Sequence, residues 1–141
     1  MMRTVAENTT NRTVEDAAIT WVIAVENAAG RDATDTRGRG AAGDVSSPSL
    51  TIEVKAYGRS ARGTDLWLED RQIREAEANP EFAVYVVENV RQGDPDQFRL
   101  TVLSGDRLQR LLERKRQQTY WTVPWPVADY DADPPQTHLT L

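Results

Sequence analysis

The chain is predicted to adopt an α/β fold, a mixed sheet flanked by helices, on three observations. EDAAITWVIAVENAAG repeats its apolar residues at helical spacing. LTIEVKAY alternates apolar and polar residues with the period of a strand. EFAVYVVENV is a near-continuous apolar run of the kind that forms a strand buried on both faces. Together with weaker segments they give the order helix, strand, strand, strand, helix, strand, strand, helix, which a layered α/β sandwich accommodates.

Each element has a local reason. Thr13 is the expected cap of the first helix, followed by the acids Glu15 and Asp16, which suit the positive end of the helix dipole. Ala18, Ile19, Val22, Val25 and Ala29 form its apolar stripe, Trp21 lies at the edge of that stripe, and Gly30 ends the helix. A short strand is expected near residues 33–36, then a Gly/Arg-rich loop, then a second short strand starting at Asp44. The turn Ser46-Ser47-Pro48-Ser49 leads into the strand Leu50 to Tyr57. Leu50, Ile52, Val54 and Ala56 share its core face, and Thr51, Glu53, Lys55 and Tyr57 share the other. DLWLEDRQIREAEAN reads as a strand end and a helix, stopped at Asn79-Pro80. The apolar strand Glu81 to Val90 is expected at the centre of the sheet, followed by the turn RQGDPD and the strand Gln97 to Leu103. Asp106 to Gln118 completes the set as a helix with Leu108, Leu111 and Leu112 inward.

Length and composition bound the function. The 141 residues suffice for one domain with a core. Residues 1–12 are expected as a flexible lead and 13–118 as the α/β domain. Residues 119–141 form a Pro-rich aromatic tail, packed on the domain or disordered. There is no cysteine, so disulfides and thiolate metal sites are excluded. His138 is the one histidine and lies in the tail, which argues against a histidine triad. No apolar run approaches the roughly 18 residues of a membrane span, and a cytoplasmic location is expected. The net charge of -5 argues against a protein that coats nucleic acid nonspecifically, but not against an enzyme whose acids hold a cation. Of 17 basic residues only Lys55 and Lys115 are lysines, so the placing of Lys55 inside an apolar strand invites a chemical explanation.

Glu53 and Lys55 share one strand face, and Asp44 precedes them on the other arm of a hairpin, where it can sit beside Glu53. Two adjacent carboxylates repel, and a divalent cation relieves that cost. All-oxygen ligands suit Mg²⁺ or Mn²⁺. Such an ion can bind a phosphate oxygen and acidify a water, and a nearby ammonium can orient that water and offset transition-state charge. The bland alternative is a solvated strand face carrying a marginal surface ion pair.

The order of elements around these residues resembles the PD-(D/E)xK nuclease superfamily, the restriction-endonuclease-like fold with its α-β-β-β-α-β core. More closely, the chain is similar to the domain named for the C-terminus of plant NO VEIN proteins, also found in bacterial restriction and defence systems. The resemblance runs from about Thr13 to Leu103 through VEDAAITWVIAVENAAGR, GDVSSPSLTIEVKAYG, LWLEDRQIREAEA and FAVYVVENV. Two positions depart from the pattern: Ala56 replaces the usual glycine after Glu-x-Lys, and Gly43 stands where an aromatic residue is common. The resemblance implies that Asp44 and Glu53 bind Mg²⁺ or Mn²⁺, that Lys55 assists the attacking water, that Glu15 completes the metal site, and that Gln72 of the second helix joins it. For Glu15 the dipole role is an equal alternative, and Glu26 is the fallback ligand.

Arg37, Arg39, Arg59 and Arg62 flank the hairpin in Gly-rich loops and are candidate contacts to phosphates. Trp121 and Trp125 are expected to pack the tail on the domain, with partner binding or base stacking as the alternative. The function expected first is a metal-dependent nuclease acting on nucleic acid, with DNA the first choice, in a restriction, defence or DNA-processing setting. Specificity would come from a partner protein, from a homodimer or from nucleic-acid shape. The alternatives are a catalytically silent module of the same fold that docks on nucleic acid or protein, and a structural protein whose strand face is merely exposed.

Overall fold

The computed structural model describes residues 10–133, so most of the expected lead and the end of the tail, His138 included, lie outside the described residues. A five-stranded mixed sheet carries helices on both faces, as the alternating patterns require. Helix α1 is Asn11–Ala28, followed by strands β1 (Thr34–Asp35), β2 (Val45–Ser47) and β3 (Leu50–Ala56). Helix α2 is Asp70–Ala78, then come β4 (Phe82–Glu88), β5 (Arg99–Leu103) and helix α3 (Gly105–Leu112). A short helix, α4, spans Val127–Ala132 in the tail. The strands lie in chain order. Only β3 and β4 are parallel, joined through α2, and the other pairs are antiparallel.

Strand β4 shows why a continuous apolar run is needed. All seven of its residues are buried. Ala83, Tyr85 and Val87 join Val14, Ala18, Ile19 and Val22 of α1 in one core, while Phe82, Val84 and Val86 meet Ala76 of α2 and Leu108 and Leu112 of α3 in another. The strand at the sheet's middle position is β3, with β4 beside it.

Three expectations need correction. Helix α1 begins one turn early, because Thr10 and Thr13 cap each other reciprocally: each backbone N–H donates to the other's Oγ1 at 3.1 Å. Glu15 and Asp16 therefore lie past the first turn, where the dipole explanation for Glu15 weakens. Helix α3 stops at Leu112 rather than Gln118, since the six residues that follow are all polar and offer the sheet nothing to bury. Within α3, Leu108 and Leu112 are buried but Leu111 is 45% exposed. The aromatic tail is not packed either. Trp121 is 91% and Trp125 67% exposed, and every described residue from 113 onward is exposed.

The opposite end of α1 is held by an ion pair between a buried carboxylate and an exposed arginine. Gly30 takes φ 87°, which lets the chain turn back. Arg31 then donates to both carboxylate oxygens of Glu26 at 2.8 and 2.7 Å. Glu26 is almost fully buried. The Arg31 guanidinium holds its carboxyl below the usual range despite the cost of burial, with smaller help from the Ser47 and Tyr85 hydroxyls. Ser47 faces it beyond ordinary hydrogen-bond geometry.

Candidate functional site

Helices α2 and α3 pack over β4, and among the described residues no helix covers the same face of β2. Glu53 and Lys55 project from β3 at that boundary, aligned with Val84 and Val86 of β4. Their side chains are 6% and 22% exposed, so the pair forms the floor of the site rather than a solvated strand face.

A local irregularity brings Asp44 to Glu53. Val45 pairs with Ile52, yet the Asp44 N–H also donates to the Ile52 carbonyl at 2.8 Å. Two residues thus face one, the arrangement of a β-bulge, which re-aims the side chain of the extra residue. Asp44 Oδ2 accepts from the Val54 N–H at 2.9 Å, and the Asp44 carbonyl accepts from Thr36 N–H at 2.8 Å. Gly43 is dictated by the same close approach. A Cβ there would sit 2.7 Å from the Ile52 carbonyl oxygen and 2.9 Å from Thr51 Cγ2. This explains why no aromatic residue precedes Asp44 in this chain.

Glu53 Oε2 accepts from Gln72 Nε2 at 2.8 Å and lies 3.3 Å from Lys55 Nζ. The other end of the Gln72 amide, Oε1, accepts from the Glu69 N–H at 2.9 Å in a capping box. Its orientation is therefore set by the helix start. Burial first, and the neighbouring Asp44 carboxyl next, push the Glu53 carboxyl up to about 8 against the lowering effect of Lys55. Burial of Glu53 beside a second carboxyl thus favours its protonated form, and Lys55 offsets only part of that.

Four predicted residues, Asp44, Glu53, Lys55 and Gln72, thus meet in one place. Glu15 does not join them. It lies 3.8 Å from Arg37, which also pairs with Asp16 at 2.6 Å and Asp35 at 2.7 Å. Residues Arg12, Glu15, Asp16, Asp35, Arg37 and Arg39 line a separate shallow cleft of about 710 Å³. Glu26, the fallback ligand, is committed to Arg31. Among the described residues no group of three or more acidic or histidine side chains is placed to hold a metal, so the site offers two carboxylates and no third.

The basic residues separate likewise. Arg37 is spent on carboxylates, while Arg39, Arg59 and Arg62 remain exposed. Two residues not singled out in the sequence shape the surroundings. Arg71, in the first turn of α2, donates to the Gly40 carbonyl and ties the helix to the loop before Asp44. Glu88 is buried, and its Oε2 accepts from the Ala61 N–H at 2.9 Å, which fixes the loop after β3. No pattern in the chain marks either, since these two contacts join residues 31 and 27 positions apart.

Comparison with known proteins returns no matching family model, no similar curated protein and no similar solved structure. Among the described residues no helix is long and apolar enough to cross a membrane.

Proposed function

We propose that the chain is a metal-dependent phosphodiesterase of the nuclease type, acting on nucleic acid with Mg²⁺ or Mn²⁺. One observation carries this: Asp44, Glu53, Lys55 and Gln72 converge on a half-open floor where burial first, and the Asp44 carboxyl next, push the Glu53 carboxyl up to about 8. The donor set fits such an ion. Mg²⁺ is commonly held by one or two carboxylates, with waters and substrate phosphate in its remaining positions.

When bound there, the ion would polarise a phosphate oxygen and acidify a water. The chain's own residues do the rest. Asp44 and Glu53 supply the anionic ligands. Asp44 is anchored by Val54 N–H and so presents its carboxylate in a fixed direction. Gln72 fixes the rotamer of Glu53. Lys55 lies partly exposed beside them, where its ammonium would hold the attacking water and offset charge gathering on the phosphoryl oxygens. The exposed Arg39, Arg59 and Arg62 are available to the backbone of a bound strand.

The test is cleavage of linear, nicked and single-stranded DNA with Mg²⁺ or Mn²⁺. Native protein is expected to cleave, and Lys55→Ala or a chelator to abolish cleavage. Folded native protein that cleaves none of these substrates overturns the proposal. A second reading, a silent docking module, draws support from one feature: Glu53 Oε2 is already satisfied by Lys55 and Gln72 without any ion. Under that reading Mg²⁺ leaves the melting temperature unchanged, whereas a ligand specific to the folded state raises it.

A further inference from the structure

We infer that the tail of one chain docks on the outer face of α3 in a second copy of the same chain. The receiving surface is a shallow groove of about 330 Å³ lined by Arg107, Arg110, Leu111, Glu113 and Arg114. Three of these are guanidinium groups around an exposed leucine, in a protein of net charge -5. None of the three arginines takes part in an ion pair among the described residues.

The tail has the complementary character. From Gln117 to Asp133 it contains Asp129, Asp131 and Asp133 and no basic residue. Its apolar groups are uncovered: Trp121, Trp125, Val127 and Tyr130 are all more than 60% exposed. It is also shaped in advance. Trp125 Nε1 donates to Asp129 Oδ2 at 2.9 Å, and the Trp125 and Tyr130 rings meet edge to face at 5.2 Å. A segment ordered before docking loses less entropy on docking. Aromatic rings against Leu111, ringed by Asp–Arg pairs, match the usual anatomy of an interface with an apolar centre and a polar rim.

The occupant is a second copy because of how the chain leaves α3. Lys115 pairs with Glu77 of α2 at 3.2 Å, and Arg116 with Asp65 at 3.0 Å. These pairs hold the first residues after α3 against α2 and the loop before it, and no described tail residue lines the groove of its own copy. Exchange between two copies lets each tail reach the other's groove, and the two contacts form one isologous interface. This inference does not depend on the nuclease reading.

A charge swap tests it. Native protein, measured by light scattering or sedimentation across concentration, is expected to approach twice the monomer mass and to dissociate as salt rises. Arg110→Glu with Arg114→Glu should weaken association at least tenfold. Asp131→Arg with Asp133→Arg should do the same, and these leave the Trp125–Asp129 contact and the folded domain untouched. All four changes together should restore association. If the α3 variants do not fold, the tail variants decide alone. A native protein monomeric at all concentrations, or tail variants that associate as the native chain does, overturns the inference. So does loss of DNA binding in the α3 variants with no change of mass, which would assign the groove to nucleic acid.

Discussion

At Glu53 two effects act in the same direction. Burial and the neighbouring Asp44 both raise the carboxyl, to about 8 from an ordinary 4.5. A carboxyl raised by folding stabilises the fold fully below about 4.5, and that stability is lost as pH climbs to about 8. Denaturant unfolding of the metal-free protein should therefore show lower stability at pH 8.5 than at pH 5. Glu53→Gln, which keeps an acceptor for Gln72 and never ionises, should flatten the profile and be the more stable protein at pH 8.5. The difference is of the order of a few kcal/mol, since a tenfold change in proton affinity corresponds to about 1.4 kcal/mol. A native profile that rises between pH 5 and 8.5 would contradict the placing of this residue. Gly43→Ala examines the bulge in a different way. Its methyl group must displace the Ile52 carbonyl or Thr51, at a cost of about 1–3 kcal/mol. If the chain cleaves nucleic acid as proposed, that activity should fall by more than the loss of stability explains, because Asp44 moves with its neighbour.

The elements show which parts of the chain speak for themselves. Strand β3 is legible from period two alone, and with it the shared face of Glu53 and Lys55. Strand β4 signals burial on both faces through an unbroken apolar run, and all its residues are buried. Helix α3 is shorter than its leucines and the polar run after them suggest. Adjacent leucines point about 100° apart around a helix, and the core takes Leu108 and Leu112 but leaves Leu111 outside. Leu108→Ala should accordingly cost about 2–5 kcal/mol in unfolding free energy, and Leu111→Ala within about 0.5 kcal/mol. Equal losses would put the helix in the wrong rotation. The candidate ligands on α1 sit apart from the other four for a related reason. Spacing along a helix gives its faces, but Arg37 and Arg31, reached only after the chain folds back, decide that Glu15 and Glu26 have other partners. The sequence marks Gln72 only as a candidate, because its bond to Glu53 joins elements 19 residues apart.

For the whole molecule, the two cores lie within the segment from α1 to α3, and no described residue after Leu112 is buried. Ending the chain after Gln118 should leave the melting temperature of dilute protein within about a degree or two, the scale of a surface change of a few tenths of a kcal/mol. A large drop would mean that the tail supports the domain after all. The Glu26–Arg31 pair spans the end of α1 and the turn after it, and Glu26 is buried, so Arg31→Ala should lower the melting temperature of the whole domain at neutral pH. The Glu26 carboxyl is held low by folding, so its contribution is present above the ordinary carboxylate range and fades as pH falls toward the folded value. The deficit of Arg31→Ala should shrink in acid, and a deficit that widens there would contradict the pairing.

The single oxygen Glu53 Oε2 receives both Gln72 and Lys55. That leaves Oε1, and the neighbouring Asp44 carboxyl, to carry a proton, and the proposed cation would displace it on binding. Calorimetric titration with Mg²⁺ at pH 7 should thus release close to one proton per ion. The apparent heat would change in proportion to the ionisation enthalpy of the buffer, and affinity would rise toward tenfold per pH unit until about pH 8.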